Sequence, residues 1–432
     1  MATTRVKMPV SQVQVGMFVS DLDRPWVETP FPLQGFYIRH ARDIQVLEGY
    51  CKHVYIDQTL QPQAGGYELH EAQGAAKRER ADVQRLSLAP IVIRNRQQYS
   101  EQVPLKKELV AARTLQRRLD ETLEQVRQCL GAGKPVDWIE TSAIAEAMAD
   151  SVIRNPDAML WMVRVQQRSD HAYRHAVSAS VWGLVFGRHL GLEKAQLKAL
   201  ATGLLLSQVG KALLPQALLD KEGMLTPAEF KEYKRFVELG VQLIKQDTRL
   251  APHVLPVVEY HRERHNGSGF PKGITGDKIP LLAKIAGIVD HYQELTEPAS
   301  GVAALSALDA VGRLYASRNV EFQEDLVEQF IRAVGIYPTG SLVELNTGEV
   351  AVVVAHNPAR KLLPTVKVVL DAERKPVRDG RLINLLEFNE TCAKDERISI
   401  ASSLPLGAFS LGDGQVDLTG SLSKWSWRRL VS

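Results

Sequence analysis

A mainly α protein, helical through its middle with a small β-containing unit at each end, is what this sequence predicts. Three observations carry that reading. Apolar residues recur at three- and four-residue spacing from about Leu105 to Val334. Alternating, β-branched runs appear before residue 60 and again after Pro338. Short Gly- and Pro-containing loops punctuate the helical part.

The expected order of elements follows. Lys7–Leu22 reads as a strand with Val13, Val15, Met17 and Val19 on one face and a bend at Gly16, and His53–Asp57 as a second strand. Residues 1–60 thus form a small N-terminal domain. Residues 61–104, with QPQAGG and the charged run Lys77–Arg80, read as a linker; the run is a solvated stretch or an anionic-partner contact. Connecting helices fill 105–156. In the first, Leu109, Ala112, Leu119, Leu123, Val126 and Leu130 make a stripe that packing within the chain or a coiled-coil homodimer seam would equally produce. Further helices are expected at Ile139–Ile153, His175–Leu190, Leu197–Leu206, Pro227–Lys245, Val254–Arg264, Ile279–Leu295, Leu305–Tyr315 and Gln323–Val334. Ser341–Leu345, Glu349–Ala355 and Thr365–Asp371 are expected strands of a β-rich extension over 336–432. Its tail is weakly patterned and ends on Trp425 and Trp427 beside Arg428 and Arg429, a group suited to docking on the chain itself, on a partner or on an anionic surface.

Composition narrows the function. Among 432 residues, 53 Lys and Arg stand against 50 Asp and Glu, a net charge of +3. So near-neutral a balance argues against a dedicated nucleic-acid binder. Cys51, Cys129 and Cys392 lie far apart, with no CxxC pair, which argues against a disulfide framework or a thiolate zinc site and fits a reducing cytoplasm. No run of about 18 apolar residues predicts a membrane span, and the start MATTRVKMPVSQ lacks the apolar stretch of a secretory signal.

One stretch carries chemistry. Tyr260–Pro280, YHRERHNGSGFPKGITGDKIP, places a histidine at a helix end before a glycine-rich loop, and a following helix carries Asp290. This order of residues resembles the HD-GYP family, with Phe270 where the motif has Tyr, over about residues 157–335. The segments RNPDAMLW, GIYPTGSLVELNTGEVAVVV and VGMFVSDLDRPWVETPF are similar to one subgroup, in which a small domain of unknown function precedes the helical one. The resemblance implies an all-helical HD-domain phosphohydrolase bundle. It also implies a cyclic di-GMP phosphodiesterase in which histidines and carboxylates hold two or three iron or manganese ions that activate water.

Placed residue by residue, the motif is depleted. His175 matches the first metal histidine, and the HD pair falls on Ser207 and Gln208. The next ligand histidine falls on Phe236, the paired histidines on His261 and Arg262, and the last aspartate on Asp290. Lys211 matches a lysine that faces the substrate phosphate; here it is equally placed to cap a helix end. Ala299, Gly301 and Val302 stand where basic and aromatic residues are expected. His175, His261 and Asp290 are therefore vestigial metal positions, each also readable as a core histidine or an ion-pair carboxylate. Arg262 puts a fixed positive charge where a second cation would sit and is placed to pair with Asp290. His265 and His291 have no ligand counterpart. No cofactor is expected, or at most one iron or manganese ion.

Gly267, Ser268, Gly269, Phe270 and Pro271 form a loop that the resemblance associates with binding of diguanylate cyclase (GGDEF) domains. The alternative is that its glycines serve turns and Phe270 tucks into the core. The reading that results is a degenerate, inactive, regulatory member of the family acting through protein contacts. A weakly active phosphodiesterase and a non-hydrolysing cyclic dinucleotide binder are the alternatives.

Overall fold

The structure, a computed structural model, describes residues 5–57 apart from 16, 25–35 and 39–40, and residues 90–409 apart from 94, 166–169, 222–224, 246, 248, 300–302, 358–359, 378–379, 394–395 and 406. Lys77–Arg80, Gly301, Val302 and the Trp425–Arg429 group lie outside the described residues.

The first unit is a four-stranded antiparallel sheet, in the order β1 (Arg5–Pro9), β4 (His53–Asp57), β2 (Phe18–Leu22), β3 (Phe36–Tyr37), with helix α1 (Ala41–Tyr50) packed on it. The continuous strand expected over Lys7–Leu22 is in fact two strands separated by a single 3-10 turn at Val10–Gln12. Val13, just past the turn, is buried with Val19, while Val15 sits in a second turn, where the Met17 N–H donates to the Gln14 carbonyl at 3.2 Å, and is 54% exposed. Helix α1 was not anticipated. Val46, Leu47 and Tyr50 of α1 close a core with Val10, Val54 and Ile56.

The central unit is a helical bundle. Helix α2 (Leu105–Gly131) buries Leu109, Ala112, Leu115, Leu119, Leu123 and Val126, and it packs on α3 (Trp138–Arg154) and α4 (Pro156–Val165). The apolar stripe is therefore satisfied within the chain. Glu108 is tied down at the same seam by Arg154, at 2.7 and 2.8 Å, and by Ser151 at 2.7 Å. At the end of the expected linker, Ile91, Ile93 and Tyr99 pack on the helical core, and the Ile91 N–H donates to Asp325 at 2.6 Å.

Helices α5 (His171–Leu190) and α6 (Lys194–Leu206) form the centre, followed by a 3-10 turn at Val209–Leu213 and the short α7 (Gln216–Leu219). The helix expected over Pro227–Lys245 is two: α8 (Pro227–Lys234), which Thr226 and Glu229 open with a capping box, and α9 (Phe236–Lys245). Helix α10 spans only Val254–Tyr260, so His261 and Arg262 sit just past its end instead of within it. Helices α11 (Leu281–Thr296), α12 (Ala307–Ala316) and α13 (Glu324–Val334) complete the bundle. Edge-to-face contacts of Trp182 with Tyr292 at 5.4 Å and of Phe186 with Phe330 at 5.2 Å lock α5 against α11 and α13.

The last unit is a five-stranded antiparallel sheet in the order β8 (Leu382–Asn384), β7 (Thr365–Leu370), β6 (Val350–Ala355), β5 (Leu342–Leu345), β9 (Ile400–Leu404), with α14 (Leu385–Thr391) between β8 and β9. Strand β6 is buried on both faces. Val350, Val352 and Val354 join the helical core, while Ala351 and Val353 face a second cluster with Val366 and Ile383. Strand β8 was not among the expected strands, and β9 falls in the weakly patterned tail.

Candidate functional site

Helix α5 brings His175 to Asp290 and the end of α10 brings Arg262, with His261 close by. Phe236, at the start of α9, lies under Arg262, and Lys211, in the turn after α6 that also carries Gln208, lies against Phe236. Gly210 makes the close approach possible. A Cβ there would lie 1.9 Å from the Phe236 carbonyl oxygen, so only glycine lets the turn lie against α9.

Asp290 is fully buried and receives two partners. His175 Nε2 is 2.7 Å from its Oδ1. The Arg262 Nε is 3.1 Å from its Oδ2, an ion pair that is not aligned as a hydrogen bond. One turn on, Glu294 takes the rest of the guanidinium, with Arg262 Nη1 donating at 2.9 Å and Nη2 at 3.3 Å. Burial alone would push Asp290 up, but Arg262 and then His175 outweigh it and hold the carboxyl well below the usual carboxylate range. The same guanidinium, again against burial, holds Glu294 down to about 2. Burial pushes Arg262 down, yet Asp290 and Glu294 leave its pKa raised, so it is a permanent cation.

The remaining positions are equally plain. Ser207 Oγ donates to the Leu204 carbonyl at 2.8 Å and accepts from Gln208 Nε2 at 3.1 Å. Phe236 is fully buried under the Arg262 guanidinium, at 5.8 Å, and edge-on to His261 at 5.9 Å. His261 Nδ1 is 2.8 Å from the Val258 carbonyl, which can only accept, so Nδ1 carries the proton and Nε2 is a bare acceptor. Nε2 has no hydrogen-bond partner among the described residues. Lys211 does not face an open site. It is buried in a 3-10 turn with its Nζ 5.4 Å from the Tyr233 ring and 5.3 Å from the Phe236 ring.

The donor set does not fit a two-metal centre. His175 spends Nε2 on Asp290, and Asp290 spends its charge on an arginine. Ser207 and Gln208 supply no bridging carboxylate, and Phe236 supplies no donor. Among the described residues no three His, Cys, Asp or Glu side chains are grouped to hold an ion. His175, His261 and Asp290 are neighbours, but they are organised around a guanidinium.

The loop that follows is rigidly built. The Glu263 carboxylate accepts the backbone N–H groups of Lys272 (2.7 Å), Gly273 (3.1 Å) and Ile274 (3.1 Å). Gly267, Ser268, Gly269, Phe270 and Pro271 are all half-buried. Phe270 packs on Phe236 at 6.2 Å beneath Lys234 at 5.9 Å, while Lys272 and Gly273 form the exposed tip. Glu263 and Glu294 escaped the sequence reading. Glu294 had a signal, its i+4 spacing from Asp290 on one helix face; Glu263 had none, because its partners are backbone groups.

Three histidines, two of them buried and His171 half-buried, flank the site with depressed pKa values. Burial, then Lys211, takes His171 to about 4; burial, with Arg262 adding to it, takes His261 to about 4; burial, then Arg264, takes His291 to about 3. The stability that neutral imidazoles permit is present above their ordinary value near 6.5 and is lost as pH falls towards 4. On the order of 2 kcal/mol per histidine should be gone by pH 5. Asp290 and Glu294, whose folded pKa values are lowered, add to the loss as pH falls through the ordinary carboxylate range near 4, where the unfolded carboxyls take up protons. Melting temperature should therefore fall from pH 6.5 to 5, and the fall should be shallower in His291→Phe; a flat profile would contradict this assignment of charge.

The fold and the motif positions define an HD-type helical domain flanked by two accessory domains, and the comparisons agree. A family model described as an HD domain matches residues 161–325. A domain of unknown function, DUF3391, matches 5–141, and a KOW domain associated with HD domains matches 342–392. Residues 161–325 therefore carry an HD domain, set between a DUF3391 domain and a KOW domain. It is 28% identical over 387 residues to a cyclic di-GMP phosphodiesterase of Pseudomonas aeruginosa, covering 89% of this chain and 90% of that one. It is 31% identical over 153 residues to the cyclic di-GMP phosphodiesterase response regulator RpfG of Xanthomonas campestris, covering 35% of this chain and 40% of that one. A solved HDG"Y"P protein from Bdellovibrio bacteriovorus aligns at 13% identity over 76% of this chain and 98% of that one, with a TM-score of 0.43. Among the described residues no helix is long and apolar enough to cross a membrane.

Proposed function

We propose that this chain is an HD-GYP protein that does not hydrolyse cyclic di-GMP and instead regulates cyclic di-GMP signalling by protein contact. The observation that carries the proposal is the Arg262 guanidinium, buried at the centre of the HD site and neutralised by Asp290 and Glu294. A two-metal hydroxide generator needs bridging carboxylate and imidazole donors around cations. Here one protein cation stands among the remaining donors and satisfies their charge. The similarity to cyclic di-GMP phosphodiesterases supports the signalling context, and the missing donors argue against the chemistry.

The contact surface in this reading is the loop 267–273, its shape fixed by Glu263 and its tip offered by Lys272 and Gly273, and a GGDEF-domain protein is the partner. Incubation of the purified protein with manganese or ferrous iron and cyclic di-GMP should yield no linear dinucleotide above background. A purified GGDEF domain should be retained by the wild type and lost with a Lys272→Glu variant. Turnover that disappears in Asp290→Asn would overturn the inactive reading. Failure to retain GGDEF domains would overturn the choice of partner.

A further inference from the structure

The structure also contains a cleft well away from the HD site, where the segment before α2 lies against the end of α5. Its volume is about 610 Å³, in the range of small-molecule sites, and it is lined by Arg96, Gln97, Gln98, Tyr99, Arg188 and His189. No carboxylate is in that lining.

The walls are fixed by the chain itself. The α5 C-cap, Gly191, has φ of 77°, and a Cβ there would come within 2.4 Å of Arg96 Cγ and 2.5 Å of the Gln97 carbonyl oxygen. Glycine thus allows the 95–99 segment to seat directly on the helix end. The Gln97 N–H donates to the Gly191 carbonyl at 2.8 Å, Tyr99 Oη to the Leu192 carbonyl at 2.7 Å, and Arg96 Nη2 to the His189 carbonyl at 3.2 Å.

Positive charge collects on this preformed surface. Arg188 Nη2 is buried with no hydrogen-bond partner among the described residues, while its Nε reaches only the Ile153 carbonyl at 3.4 Å. Arg96, Arg332 and Lys361 all act on His189 and, after burial, help to push its pKa down. The acidic groups acting on Arg188 are Glu101 and Asp157, which are not part of the lining. A guanidinium with a spare donor, a second guanidinium and two amides around a cleft match the forked, multiply charged geometry of a phosphoryl group. The last turn of α5 holds one cation at its carbonyls, where Arg96 donates to His189.

We infer that this cleft binds a phosphate-bearing small molecule, with Arg188 and Arg96 holding the phosphoryl group. The inference does not depend on whether the HD site is active. The test is isothermal titration of the full chain with inorganic phosphate, pyrophosphate, AMP and GMP, in separate arms that distinguish free from nucleotide phosphate. At least one arm should show saturable binding of one molecule per chain. That binding should be at least tenfold weaker in Arg96→Gln, whose side chain is exposed and whose loss should not disturb folding, and in Arg188→Gln. Lys211→Ala, at the HD site, should bind as the wild type does. Absence of saturable binding in every arm, or binding unchanged in Arg96→Gln, would overturn the inference.

Discussion

Arg262→Ala should lower stability by about 3–5 kcal/mol, the range for removing one partner of a buried ion pair. In a helical domain of this size that corresponds to a fall in melting temperature of at least about 6 °C. The reason is the position of Asp290. It is fully buried, and without the guanidinium its charge rests on His175 alone. Phe236 loses the cation above its ring as well. In Arg262→Ala/Asp290→Asn the uncompensated charge is gone too, so the double variant should be more stable than the single one, a non-additivity that a double-mutant cycle reads directly. A single variant that melts with the wild type would mean that Arg262 is an ornament of the site and not its centre.

The second large effect is a gain. Ser207→His, Gln208→Asp, Phe236→His and Arg262→His together return donors to the positions where the resemblance places the family's ligands. The fourfold variant should take up at least one iron or manganese ion per chain where the wild type holds far less. Arg262→His matters most, because it removes the positive charge as well as adding an imidazole. The threefold variant that keeps Arg262 should therefore bind metal at least tenfold more weakly than the fourfold one. Phe236→His gives up a fully buried ring and will cost stability, so metal uptake should be compared at a temperature where both variants remain folded. Equal affinity with and without Arg262 would remove the electrostatic basis of the account.

Much of this site was legible in the sequence because a motif fixes spacing. Once GSGFP and its flanking histidine align, Ser207, Gln208, Phe236, Arg262 and Asp290 follow as positions, and the pairing of Arg262 with Asp290 follows from charge. What the motif leaves out is what side chains choose in three dimensions. Glu294 completes the guanidinium's coordination from one turn away, and Lys211 withdraws between Tyr233 and Phe236 instead of facing a substrate. Periodicity likewise located the helices better than their breaks. The apolar stripe runs on through Arg235, so nothing in it marks the end of α8, whereas a turn in which Met17 N–H bonds the Gln14 carbonyl exposes Val15 without any change in hydrophobicity. Strand β9 carries two serines among five residues and does not alternate, and it is held by pairing with β5, a long-range contact that local pattern does not carry.

The most direct test of the central claim is the metal content of the wild-type protein, produced with iron and manganese supplied and measured by elemental analysis after removal of loosely bound ions. The expected result is well below one ion per chain, unchanged in His175→Ala and Asp290→Asn. One or more tightly held ions per chain, lost in those two variants, would show that the HD site still assembles a metal centre around Arg262 and would contradict the account.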